Sequence, residues 1–121
     1  MSKKILVVDD EADVRRFLTA VLQKRGHETL TAADGREAYE IAERERPDLI
    51  ILDLQMPDQT GTDFYRRLMK HKDLQSTPII VVSGLAGRHL AVSDPFAVFD
   101  KPIDPDEFAA TVEQASGQGD D

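Results

Sequence analysis

Polar residues able to do chemistry stand directly after short apolar runs in this chain. Asp9 and Asp10 follow Ile5-Leu6-Val7-Val8, Asp53 follows Leu49-Ile50-Ile51-Leu52, Ser83 follows Ile79-Ile80-Val81-Val82, and Lys101 closes the stretch after Phe96 to Phe99. Three carboxylates converging in a partly dehydrated cleft cannot all stay ionised cheaply, because like charges disfavour one another's ionisation. A divalent cation is the simplest compensation. Oxygen-only donors with no His or Cys nearby select a hard ion, and a site with few carboxylates that must also admit phosphate suits Mg²⁺, which keeps several of its waters. Lys101 adds a second, fixed positive charge.

The runs themselves supply the elements that must bring these residues together. The three apolar runs are β-branched and continuous, the pattern of strands buried on both faces of a parallel sheet. Glu28 to Thr31 and Phe96 to Phe99 are more mixed strand candidates that suit edges. Between strands the period becomes helical: Val14, Phe17, Leu18, Val21 and Leu22 make one apolar stripe opposite Arg15, Arg16, Gln23 and Lys24, with Gly26 as the stop. Asp34 and Glu37 resemble a capping box, opening a helix through Ala38, Ile41 and Ala42 that Pro47 ends. A third helix spans about Thr62 to His71, turning Phe64, Leu68 and Tyr65 inward. The last begins at Asp104, with Pro105 at the first helical position and Glu107 closing a second box, and buries Phe108 and Val112. A short helix is expected over Leu85 to Val92, weakened by Gly84 and Gly87 and cut by Asp94-Pro95. Strict alternation of strand and helix requires right-handed crossovers and a sheet covered on both faces, with ligands bound beyond the carboxyl ends of the strands.

Length and composition bound the answer. A chain of 121 residues, 40% hydrophobic and 31% charged, suits one soluble globular domain. Residues 1–115 are expected to form it, with Ser116 to Asp121 as a frayed tail. Lys plus Arg number 15 against 23 Asp plus Glu, a net charge of −8, so direct binding of nucleic acid or of anionic lipid is not expected. The absence of Cys removes disulfides, thiolate zinc sites and thiol nucleophiles. Only Ile5 to Val8 separate Lys4 from Asp9, too short an apolar stretch for an export signal, and no run approaches the roughly 18 residues of a membrane span. A cytoplasmic location is expected.

Val7-Val8-Asp9-Asp10-Glu11, Asp53-Leu54-Gln55-Met56-Pro57 with Gly61, Ser83-Gly84 and Lys101-Pro102 together resemble the receiver domains of two-component response regulators over about residues 3–115. Any one piece is common by chance; four in this order at the ends of strands are specific. The resemblance implies a flavodoxin-like α/β fold, a doubly wound (βα)5 with a five-stranded parallel sheet in order 2-1-3-4-5. It implies Asp53 as phosphoacceptor, with Asp10, Asp53 and the backbone carbonyl of Gln55 holding Mg²⁺ and Asp9 acting through water. Lys101 and Ser83 then meet the phosphoryl oxygens, and Lys101-Pro102 resembles the family's cis peptide. A sensor histidine kinase or histidine phosphotransfer protein is the implied donor, docking by the Arg15 and Arg16 side of the first helix. The implied output is a changed surface on the fourth helix, fifth strand and fifth helix, read by a downstream protein or by a phosphorylation-linked dimer. The chain would then be a stand-alone signalling phosphoacceptor, not an enzyme acting on other substrates.

One departure matters. The place three residues before Lys101, where receivers usually carry an aromatic, holds Val98, with Phe99 next, and the stretch from Ser83 to Lys101 is a few residues shorter than usual. That motivates an alternative, a receiver-shaped interaction module with altered or lost switching. Two enzyme readings are weaker. A flavodoxin-like cofactor protein needs a first loop that cradles phosphate, which Asp9-Asp10-Glu11 would repel; a Mg²⁺ phosphatase needs an acid where Gln55 stands. Blander readings cover the rest: His27, His71 and His89 receive no catalytic role, Met56 packs, Gly84 and Gly87 make no phosphate loop, and Arg36, Glu40, Glu43 and Arg44 form a solvated helix face.

Overall fold

The computed structural model describes residues 3–53, 60–83, 95–100 and 103–117; for 60, 61, 83, 100, 116 and 117 it describes the backbone alone. The β-branched runs form strands β1 (Lys4–Val8), β3 (Leu49–Asp53) and β4 (Ile79–Ser83), and the mixed runs form β2 (Glu28–Ala32) and β5 (Ala97–Asp100). The helices are α1 (Ala12–Lys24), α2 (Gly35–Glu45), α3 (Thr60–Lys70) and α4 (Pro105–Gly117), so α4 is the helix that the sequence places last. The short helix expected over Leu85 to Val92 lies outside the described residues. All strand pairs are parallel, in the order β2-β1-β3-β4-β5, with the mixed strands at the two edges. This is the flavodoxin-like doubly wound arrangement that the sequence leads one to expect.

Alternate residues of the central strands feed two separate cores. Leu6, Val8, Ile50, Leu52, Ile79 and Val81 meet Ala38 and Ala42 of α2 and Phe64 and Leu68 of α3. Their neighbours Ile5, Val7, Leu49, Ile51, Ile80 and Val82 meet Leu18 and Leu22 of α1 and Phe108 and Val112 of α4. Helices therefore cover both faces, and the runs are continuous because each side of each strand is buried.

Helix ends follow the local chemistry. Gly26 takes φ 84°, a left-handed conformation that a side chain would strain although nothing lies within 4 Å of an added Cβ. At α2, Asp34 Oδ1 accepts from the Glu37 N–H at 2.8 Å, while Glu37 Oε1 accepts from the Ala33 N–H at 2.9 Å, reaching one residue beyond the cap itself. Arg46, at φ 50°, turns the chain out of α2 before Pro47. Asp104 caps α4 by accepting from the N–H groups of Asp106 and Glu107 at 2.9 and 3.2 Å. One expectation is corrected. Phe17 belongs to the apolar stripe of α1 by spacing but stands 40% exposed, because Leu18 and Leu22 carry the contact with the sheet. The helical backbone of α4 continues through Gly117, and 118–121 of the expected tail lie outside the described residues.

Candidate functional site

Strand register gathers the acids. β1 pairs with β3 from Ile5 opposite Leu49 to Val8 opposite Leu52, so one further step brings Asp9 level with Asp53 at the carboxyl edge of the sheet. Both side chains are buried, each residue 1% exposed, whereas Asp10 and Glu11 on the way into α1 are exposed. One carboxylate oxygen from each of Asp9, Asp10, Glu11 and Asp53 lies within 4.8 Å of the others. Oxygen donors at this spacing, two buried and two open to solvent, fit a hard divalent cation that keeps part of its water shell.

The loop carrying these acids is pinned from two sides. The Asp9 N–H donates to the Ala32 carbonyl of β2 at 3.1 Å, and the Arg15 guanidinium donates to the Asp9 carbonyl from α1. The Glu11 N–H donates to Asp9 Oδ1 at 2.9 Å, which fixes one carboxylate oxygen and the start of α1 together. Arg15 thus helps hold the backbone of the acidic loop, a task beyond the docking role that the family resemblance implies for it. Glu11 is likewise part of the acidic group, although the sequence singles it out only as motif context.

The remaining site residues divide. The Ser83 backbone ends β4 opposite Asp100, one residue past Val82, which pairs with Asp53, so Ser83 sits at the same edge of the sheet. Gln55, Met56, Pro57, Gly84, Gly87, His89, Lys101 and Pro102 lie outside the described residues. Val98 is 41% exposed, while Phe99 turns into the core and meets Phe108 edge to face at 5.6 Å and 75°. The aromatic beside Val98 is therefore a packing residue under α4.

Neither described histidine belongs to the acidic group, yet both face a glutamate. His27 is buried, its Nδ1 accepting from the Lys3 N–H at 3.3 Å and its Nε2 lying 3.4 Å from Glu113 of α4. His71 stands 3.6 Å from Glu43. Sequence spacing hides both contacts because each joins elements distant along the chain. No helix among the described residues is long and apolar enough to cross a membrane.

Comparison with known proteins agrees with this geometry. The family model described as the response regulator receiver domain matches residues 5–113. Protein Rrf1 of Nitratidesulfovibrio vulgaris is 31% identical over 95% of the chain and 83% of its own length. The alkaline phosphatase synthesis transcriptional regulatory protein PhoP of Bacillus subtilis is 36% identical over 93% of the chain, which spans only 48% of that regulator. Among solved structures, the chemotaxis response regulator CheY4 of Vibrio cholerae superposes with a TM-score of 0.84 at 32% identity, covering 95% of this chain and 99% of that one.

Proposed function

The chain belongs to the response regulator receiver family, and from that premise we propose that it accepts a phosphoryl group on Asp53 from a sensor histidine kinase or histidine phosphotransfer protein. The observation that carries this is the burial of Asp53 at the end of a central strand, within ligand distance of Asp9, Asp10 and Glu11. A buried carboxylate aimed into an acidic cleft is a poor structural residue and a well-placed nucleophile.

An Asp53 carboxylate oxygen forms a bond to phosphorus as the bond from phosphorus to the donor's imidazole nitrogen breaks. The imidazole keeps the electron pair and takes a proton from solvent, leaving an acyl phosphate on the chain. Asp10, Asp53 and the Gln55 carbonyl are the residues to hold Mg²⁺, with Asp9 acting through water. When bound, that ion offsets the charge on the transferring phosphoryl oxygens. The Lys101 ammonium and the Ser83 hydroxyl meet the remaining oxygens. Rigid support comes from Arg15 and the Ala32 carbonyl, which hold the loop of Asp9 in place.

The chain then acts as a signalling phosphoacceptor, catalysing only its own phosphorylation and dephosphorylation in the cytoplasm. Its donor docks by α1 beside Arg15 and Arg16, and its output is a changed surface on the short helix expected over Leu85 to Val92, β5 and α4, read by a downstream protein or by a second phosphorylated copy. A second reading, an interaction module whose switching is altered, draws on exposed Val98 and core-packed Phe99, which leave β5 without an aromatic free to swing. Intact mass after treatment with acetyl phosphate and Mg²⁺ tests the first reading: a gain of about 80 Da is expected, absent in Asp53→Asn. If the gain occurs while the amide spectrum of β5 and α4 stays unchanged, the second reading replaces it.

A further inference from the structure

The face opposite the one formed by α1 and α4 carries an unclaimed feature. Between α2 and α3 lies a cavity of about 470 Å³ lined by Tyr39, Arg67, Lys70, His71 and Lys72. Arg67 also borders a second hollow of about 330 Å³ beside Arg36 and Asp63 nearer the helix starts, so its side chain stands between the two along α2 and α3. Its cations are exposed, and among the described residues Arg36, Arg67, Lys70 and Lys72 form no ion pair. Three of the nearby acids face other cationic or imidazole groups, Asp63 with Arg66 at 2.9 Å, Asp73 with Arg46 at 3.0 Å and Glu43 with His71 at 3.6 Å, while Glu40, one turn along α2 from Arg36, is exposed. In a chain of net charge −8, four uncompensated cations along one groove are a local reversal of sign.

The groove is also ordered in advance. The Arg67 guanidinium lies over the Tyr39 ring, 3.9 Å from its centroid, and the ring meets His71 edge to face at 6.2 Å. Stacking holds the guanidinium fork in place while its N–H edges stay open to a carboxylate, which reduces the ordering cost of binding.

We propose that the groove between α2 and α3 docks a short acidic segment of a partner protein, with Arg67, Lys70 and Lys72 taking its carboxylates and Arg36 extending the track. Charge complementarity selects this occupant. A long polyanion such as nucleic acid extends past the groove into the field of a chain carrying net −8, whereas a short acidic peptide meets only the cations. A second copy would place a basic face on an acidic one head to tail, a contact that does not close into a dimer. The site needs no phosphoryl group on Asp53, so it stands apart from the reading above.

The test titrates the full chain, labelled with ¹⁵N, with a capped peptide of alternating Glu and Asp at low salt. Saturable shifts confined to α2, α3 and residues 71–76 are expected, weakening as salt rises. Affinity should drop about tenfold or more in R67E/K70E and also in K70E/K72E, which leaves the stacked arginine intact. Spectra of both variants outside the groove should match the wild type. Absence of saturation, shifts scattered over the surface, unchanged affinity in both variants, tighter binding of a short DNA duplex, or self-association through this face without peptide would each overturn the proposal.

Discussion

Asp10 is the acid of the cluster best placed to separate charge from architecture, because it is exposed while Asp9 and Asp53 are buried. Like charges about 5 Å apart repel by roughly 1 kcal/mol even in bulk water, so Asp10→Asn should raise the melting temperature of the metal-free protein. The same change should reduce the stabilisation that Mg²⁺ confers, because one ligand oxygen loses its charge. Thermal scans with and without Mg²⁺ read both effects, and a lower metal-free melting temperature would mean that Asp10 is a structural residue. Asp9, Asp10 and Asp53 are legible in the sequence because acids that end apolar runs must lie at strand ends, and parallel register then makes them neighbours. Arg15 is not legible, since nothing in the sequence says that its guanidinium turns back to the Asp9 carbonyl. Glu11 joins the group only because the chain turns into α1 immediately after Asp10.

Element boundaries test the capping chemistry. Asp34 satisfies an amide at the start of α2 and is exposed, so Asp34→Ala should cost about 1 kcal/mol in urea unfolding; an unchanged midpoint would show that Glu37 and Ala33 alone define that helix start. At the other end of α2, the hydrogen bond from the Lys4 ammonium at 3.2 Å, then that from Arg44, holds the Glu45 carboxyl below the usual carboxylate range. A lowered folded-state pKa stabilises above the unfolded value and is lost as pH falls through the folded one. Glu45→Gln should therefore melt slightly below wild type at neutral pH, with the two curves converging in acid; a gap that persists there would contradict the ionic origin. Both caps were readable, because Asp followed by Glu three residues on is a local signal. The exposure of Phe17 was not, since periodicity assigns a face to α1 without saying how wide the contact with the sheet is.

For the whole molecule, two cores separated by one sheet mean that each helical layer can be weakened alone. Phe108 is fully buried and ties α4 to β5 through Phe99, so Phe108→Ala should cost about 3–5 kcal/mol, a large part of the roughly 5–15 kcal/mol typical of a domain. Chemical denaturation measures it, and a loss under 1 kcal/mol would mean that α4 packs independently of that ring. The doubly wound order follows from the alternation of continuous apolar runs with helical periods, whereas the short helix expected over Leu85 to Val92 has only a weak signal, because Gly84, Gly87 and Pro95 oppose it, and lies outside the described residues. The central claim is that the molecule exists to place one aspartate where it can take a phosphoryl group. Borohydride reduction after acetyl phosphate treatment, followed by peptide mapping, asks this most directly, because reduction converts an acyl phosphate into an alcohol at the residue that carried it. Homoserine at position 53, dependent on Mg²⁺, is the expected result; homoserine at any other aspartate, or none under conditions where the folded protein binds Mg²⁺, would contradict the account.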